Sequence, residues 1–142
     1  MKEQIRKLLY ALWGGTILDF HYDLLSHQIR CNVMIPSNEA ATFYRIVIDE
    51  ISSITFHEGN IAEYARNGEL RDDDEIGHIW DMMELTEFEY YPEFERQIDF
   101  PSKDGSEVAR KCAYNLVLEI WNAEIFILAR RLKINDQEFK LL

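Results

Sequence analysis

The chain has 142 residues, of which 47% are hydrophobic and 29% are charged, and its net charge is −11. This length and composition predict a single folded domain over residues 1–142 and exclude a disordered chain. An acidic protein repels phosphate groups, so direct binding to nucleic acid or to an anionic membrane is disfavoured. A basic protein partner is favoured instead.

The negative charge is concentrated in residues 69–99, which contain twelve acidic residues and two arginines. The rest of the chain is close to neutral, with fourteen acidic and thirteen basic residues. Aromatic residues are interleaved with these acids, and this combination is typical of protein interfaces. We therefore expect a partner-binding surface here, with the contact residues Asp72, Asp73, Asp74, Glu75, Asp81, Glu84, Glu87, Glu89, Tyr91 and Glu93.

The first third of the chain predicts a helix followed by a hairpin. Apolar residues recur at helical spacing over Lys2–Trp13, and two glycines follow. Alternating apolar and polar residues predict strands at Ile17–Leu24 and Ile29–Ile35, joined by a short turn. The residues expected on the apolar face of the first strand are Leu18, Phe20, Tyr22 and Leu24.

The middle of the chain predicts more strands and short helices. Thr42–Asp49 and Ser52–His57 are rich in β-branched and aromatic residues, and the first has two apolar faces, which is typical of a central strand. A short helix is predicted over Asn60–Arg66 and one or two helical turns over Ile76–Met83. In the strand predicted at Leu85–Tyr91, the expected buried face is Thr86, Phe88 and Tyr90, and Glu87, Glu89 and Tyr91 share the other.

The C-terminal third predicts a hairpin of Tyr114–Trp121 and Glu124–Leu132, followed by a tail over Ile134–Leu142 that forms an edge strand or a small helix. Together these elements predict a mainly β (α+β) fold. Its expected architecture is an antiparallel β-sandwich or a strongly curved sheet, with an N-terminal helix and small peripheral helices.

The two cysteines, Cys31 and Cys112, lie on apolar faces of predicted strands, so we expect buried free thiols. The N-terminal sequence resembles neither a signal peptide nor a membrane-spanning helix, and the expected location is the cytoplasm.

A metal site can be imagined at Asp19, His21 and Asp23, which share one face of a predicted strand. Arg30 on the neighbouring strand opposes a cation there, so a solvated polar face is favoured. The histidines and serines match no metal-binding or nucleophile motif. We therefore expect no enzyme activity, no catalytic residues, no metal and no cofactor.

Several strand patterns occur together in this chain: Ile17–Asp23, Ile29–Ile35, Phe43–Ile48 and Trp80–Phe88. In these the chain resembles the YxiG-like group of small bacterial proteins, which includes the immunity protein of a wall-associated tRNA-nuclease toxin. The resemblance implies a cytoplasmic immunity protein that binds the C-terminal toxin domain of a large contact-dependent effector. An acidic surface that covers the basic active-site cleft of a nuclease fits that function.

Two other functions remain open at this point. One is a non-enzymatic regulatory module that binds another basic protein. The other is a small-molecule-binding β protein or an enzyme, for which an apolar cavity with convergent histidine or aspartate side chains would be the evidence.

Overall fold

A computed structural model describes residues 1–57, 84–92, 96–101, 107–120 and 123–142; for 96–101 and 107–112 it describes the backbone. Its elements are α1 (Lys2–Tyr10), β1 (Gly15–Asp23), β2 (Gln28–Ile35), β3 (Thr42–His57), β4 (Glu84–Tyr90), β5 (Arg96–Pro101), β6 (Glu107–Cys112), β7 (Leu116–Ile120), β8 (Ala123–Ile134) and β9 (Gln137–Lys140). Within these residues, no helix has the length and apolar character needed to cross a bilayer.

Six strands form a closed antiparallel barrel. Around it, β1 pairs with β2, β2 with β3, β3 with β8, β8 with β7, β7 with β4, and β4 with β1. β9 adds a short strand to β8, and β5 pairs with β6 in a separate two-stranded sheet. The mainly β fold with an N-terminal helix is thus confirmed. The sheet closes on itself, so the predicted sandwich is not confirmed.

The N-terminal helix packs on the barrel core. Ile5 and Leu9, one helical turn apart, are fully buried, as is Leu12 in the turn that follows. The helix ends at Tyr10, three residues before the predicted end. Gly14 then adopts a left-handed conformation (φ +82°), and its N–H donates to the carbonyl of Leu85. This bond ties the end of the helical region to β4.

A bulge in β1 shifts its alternation of inward and outward side chains. The register with β2 changes between Leu18 and His21, and Asp19 has φ +52°. Before the bulge, Ile17 is the buried residue, so the prediction that Leu18 faces the core was wrong. After the bulge, Phe20 and Tyr22 pack against the core as predicted, because the extra residue shifts the alternation by one position.

One bent strand replaces the two that were predicted at Thr42–Asp49 and Ser52–His57. Glu50, with φ +52°, lies beside a bulge, where β3 bends without ending. Residues 42–48 pair with β2, and residues 46–57 pair with β8. The prediction that the first half is central is confirmed for residues 46–48, which pair with both neighbours, whereas the ladder with β8 begins only at Ile46.

The predicted C-terminal hairpin is confirmed by the pairing of β7 with β8, and the tail contains the edge strand β9. The separate strands β5 and β6 were not predicted. The predicted helical segments Asn60–Arg66 and Ile76–Met83 lie outside the described residues.

Between β7 and β9, the side chain of a buried asparagine bonds to the backbone of β8 as a neighbouring strand would. Asn115 is completely buried, and its side-chain amide exchanges two hydrogen bonds with the backbone of Ala129. Its Nδ2 donates to the Ala129 carbonyl at 2.7 Å, and its Oδ1 accepts from the Ala129 N–H at 3.0 Å. The next bond in this row runs from the Leu141 N–H to the Arg130 carbonyl. The side chain therefore replaces a missing strand residue.

We predict that Asn115→Leu destabilises the fold by about 3 kcal/mol, because it leaves two buried backbone groups of Ala129 without partners. Urea unfolding followed by circular dichroism measures this change. The matched control is Asn38→Leu in the exposed turn after β2, which should change stability by less than about 0.5 kcal/mol. An unchanged unfolding midpoint for Asn115→Leu would contradict the proposed role of the amide.

Candidate functional site

The outer face of β4 contains the acidic residues that the sequence predicted to be exposed. Phe88 and Tyr90 point into the core and are buried, whereas Glu87 and Glu89 are only half-buried. Their separation onto two faces follows the period of two in a strand and confirms the prediction. The predicted inward position of Thr86 was wrong. Leu85 is buried instead of Thr86, because a bulge after Leu85 shifts the alternation.

Carboxylates from three neighbouring strands form a row across this face, called here the acidic row: Glu87, Glu119 and Glu124. Glu87 lies directly opposite Glu119 in the ladder of β4 with β7, and Glu119 lies opposite Glu124 in the ladder of β7 with β8. On β3, His57 comes next, with its Nδ1 3.6 Å from Oε1 of Glu124. Three strands at the usual sheet spacing give the row a length of about 10 Å, and His57 on β3 extends the polar surface to about 14 Å.

Hydrogen bonds fix the two ends of this face. Thr86 Oγ1 lies 3.0 Å from both the carbonyl oxygen and the Oε1 of Glu119, so its hydroxyl can donate to either. The Tyr91 hydroxyl donates to Oε2 of Glu89. Burial, and next the bond to Glu89, raise the pKa of Tyr91 above its ordinary value. The phenol therefore stays protonated and holds the Glu89 carboxylate in place.

The carboxyl group of Glu87 has a perturbed pKa. Burial, followed by the hydrogen bond and the charge of Glu89 and then by Glu119, raises the pKa of Glu87 from 4.5 to about 7. Each of these causes opposes the negative form of Glu87. Near neutral pH this carboxyl group consequently exchanges its proton, and a cation placed beside it would favour the ionised form.

Tyr91 also belongs to a small apolar cluster on the outside of the barrel. Its ring meets Tyr114 edge-on, with centroids 5.7 Å apart, and Tyr114 in turn contacts Phe126. Val117 completes the cluster, and all three of these neighbours are buried. Tyr91 itself is half-buried, so its predicted contact with a partner involves only the exposed part of its side chain and stays a prediction.

The structure brings together three of the predicted contact residues, Glu87, Glu89 and Tyr91. Glu84 lies on the same strand but at its start, opposite Thr16 of β1. The other predicted residues lie outside the described residues; they are Asp72, Asp73, Asp74, Glu75, Asp81 and Glu93.

Sequence reasoning missed Glu119 and Glu124, which extend the row onto β7 and β8. The predicted hairpin, with strands ending at Trp121 and beginning at Glu124, would pair Glu119 with Phe126. In the structure Ile120 pairs with Ala123, and this different register places Glu119 opposite Glu124.

The polar face of β1 is held by local hydrogen bonds. The Asp23 carboxylate accepts from the backbone N–H groups of Leu25 and Ser26, and the bonds from Ser26 lower the pKa of Asp23. Asp19 accepts a long bond of 3.5 Å from the Asn32 amide. In the described ranges, no three histidine, cysteine, aspartate or glutamate side chains are arranged to hold a metal ion.

Cys31 is a buried free thiol, as predicted, and burial raises its pKa to about 12. A thiol of this kind stays protonated and is a poor nucleophile. The side chain of Cys112 lies outside the described structure.

A cavity of about 610 Å³ lies between α1 and β4. Its described walls are mainly aromatic, with basic residues from the helix and Glu89 from the strand. Histidine and aspartate are absent from this described lining.

We predict that Glu87→Gln raises the free energy of unfolding above that of the wild type, and that this gain is larger at pH 8 than at pH 5.5. The raised pKa of Glu87 means that the folded state binds its proton more tightly than the unfolded state. This contribution to stability is therefore lost as pH rises toward 7 and above. Glutamine is neutral at every pH. At pH 8 the free energy of unfolding of the variant should therefore exceed that of the wild type by about 1 kcal/mol, a value that allows for solvent screening.

The measurement is urea unfolding at several pH values from 5.5, which lies above the sequence pI of about 4.7, to 8. Glu39→Gln, in the exposed turn between β2 and β3, is the matched control for the loss of one carboxyl group. A pH-independent difference for Glu87→Gln would show that the carboxyl group is not perturbed as described.

Comparison with known proteins gives the chain a family. Searches of curated proteins and of solved structures found no match. A family model described as YxiG-like protein matches residues 5–139, a range that contains most of α1 and all six strands of the barrel. The chain therefore belongs to the YxiG-like family.

Proposed function

We propose that this protein is a cytoplasmic immunity protein that binds and neutralises a cognate bacterial toxin domain, a nuclease, by covering its basic active-site cleft. The observation that carries the proposal is the acidic row on the outer face of β4, β7 and β8, together with Glu89. The resemblance of the chain to an immunity protein within the YxiG-like group supports the same function.

The geometry of this face suits a surface that must meet a basic partner. Strands of a closed barrel hold the carboxylates at fixed spacing, so little side-chain order has to be gained on binding. A nuclease cleft presents cationic side chains to the phosphates of its substrate. Carboxylates at regular intervals can occupy the same cationic groups and exclude the substrate without any chemical step.

The raised pKa of Glu87 links such binding to pH. A cationic side chain placed against the acidic row would favour the ionised form of Glu87, so the complex would release a proton as it forms. Affinity should accordingly rise between pH 6 and pH 8. The proposed contact surface also includes the acids of residues 72–75, and a standard interface would bury about 1,600 Å² in total.

The experiment is co-expression with the toxin domain encoded immediately upstream, scored by growth rescue and by co-purification. We predict that Glu87→Lys combined with Glu89→Lys lowers the association rate at least about tenfold at low salt and reduces growth rescue. The fold should persist, because a lysine at position 87 would face the carboxylate of Glu119 in the neighbouring strand.

The matched control is Glu39→Lys combined with Asp136→Lys, which makes the same change of charge in exposed turns away from the acidic row. This control should rescue growth as well as the wild type does. Full neutralisation by a variant with reversed charges at residues 72–75, Glu84, Glu87, Glu89 and Glu93 would show that the assigned surface is wrong. Failure of the unaltered protein to rescue growth or to co-purify would overturn the proposed function itself.

A further inference from the structure

The cavity between α1 and β4, called here the α1–β4 groove, has a sheet edge as one wall. Residues 88–91 of β4 form this wall. The opposite wall is formed by Arg6, Lys7 and Tyr10 of α1 and by Trp13 in the turn after it. At about 610 Å³, the groove has the size of a typical ligand-binding site.

Two hydrogen bonds show which backbone groups of β4 face the groove. The Tyr91 N–H donates to the Asn115 carbonyl, on the side of β7. The Trp13 indole Nε1 donates to the Phe88 carbonyl at 3.1 Å, on the opposite side. Because successive residues of a strand direct their N–H and C=O groups to opposite edges, Phe88 and Tyr90 direct theirs into the groove.

Among the described strands, none pairs with this edge of β4 along the groove. β1 pairs with β4 only at Glu84 and Leu85. In the part of the chain that the structure describes, the Phe88 N–H and the Tyr90 N–H and C=O have no hydrogen-bond partner. Such a row of backbone groups is a template for one more strand. The row ends at Pro92, which has no N–H to donate.

The side chains around this edge indicate the chemistry of the strand that would bind. On the helix wall stand Arg6, whose guanidinium also lies 3.6 Å from the exposed Glu3 carboxylate, and Lys7; the strand wall contributes one carboxylate, Glu89, which accepts the hydroxyl of Tyr91. Tyr10, 68% exposed, stacks obliquely on Trp13, with ring centroids 4.8 Å apart. The groove thus offers aromatic surface beside an excess of positive charge, which complements an acidic chain.

We propose that the α1–β4 groove binds an extended acidic segment of a partner protein, which adds a strand to the free edge of β4. From Phe88 to Pro92 the strand spans about 13 Å, so the groove holds about four or five residues of the segment. Backbone bonds to the Phe88 N–H and to the N–H and C=O of Tyr90 supply affinity, the Phe88 carbonyl being already bonded to Trp13, and acidic side chains reach Arg6 and Lys7. This site does not rest on the proposed immunity function, since it selects a segment of opposite charge.

The probe is a fluorescein-labelled peptide, acetyl-Val-Glu-Val-Glu-Val-amide, titrated into the full chain at low salt. We predict saturable binding that is at least about tenfold tighter than binding of acetyl-Val-Lys-Val-Lys-Val-amide. Methylation of the central backbone nitrogens of the acidic peptide should weaken binding about tenfold, because it removes donors from the added strand. By amide hydrogen exchange, Phe88 and Tyr90 should become protected, whereas Glu87 and Glu89, bonded to β7, should not change.

Lys7→Glu should weaken binding of the acidic peptide about tenfold, whereas Lys2→Glu, the same change on the same helix outside the groove lining, should alter it less than twofold. Circular dichroism verifies that both variants are folded. Equal or absent binding of the two peptides would overturn the proposal. Binding insensitive to backbone methylation, or matched by N-acetylglutamate alone, would likewise overturn strand addition and identify a pocket for small anions.

Discussion

The pairing of β3 with β8 closes the barrel, and both the core and the acidic row depend on it. The ladder runs from Ile46 opposite Ile134 to His57 opposite Glu124, so it joins segments that are far apart in the sequence. Closure of so long a loop is entropically unfavourable, and burial of apolar side chains such as Ile48 and Ile127 must offset it. The same ladder places His57 beside Glu124, at the end of the acidic row.

The fold was predictable where its signal is local. Alternation in β2 and the β7–β8 hairpin could be identified from neighbouring residues alone, and the structure agrees with both. The bulges could not, because Asp19 and Glu50 adopt left-handed conformations that only tertiary pairing makes favourable. Whether the sheet opens as a sandwich or closes as a barrel depends on which strand pairs with β3. No local pattern contains that information.

The candidate site was predictable to a similar extent. The outward direction of Glu87 and Glu89 follows from the period of two in one strand. The contribution of Glu119 depends instead on the register between two strands, which a single sequence does not directly display. The hydrogen bond from Tyr91 to Glu89 also gives this tyrosine a structural role, whereas the sequence predicted only a contact with a partner.

Strand β4 takes part in both proposed recognition surfaces, yet the two differ in charge and in chemistry. Side chains stand above and below a sheet, whereas backbone groups lie in its plane. The carboxylates of Glu87 and Glu89 therefore project outward from the barrel, while the backbone groups of Phe88 and Tyr90 face α1. Glu89 borders both surfaces, whereas Glu87 lies outside the groove lining and Lys7 lies outside the acidic row. A charge change at Glu87 therefore leaves the groove lining intact, and a change at Lys7 leaves the acidic row intact. The two proposed surfaces can thus be tested separately even though they share a single strand.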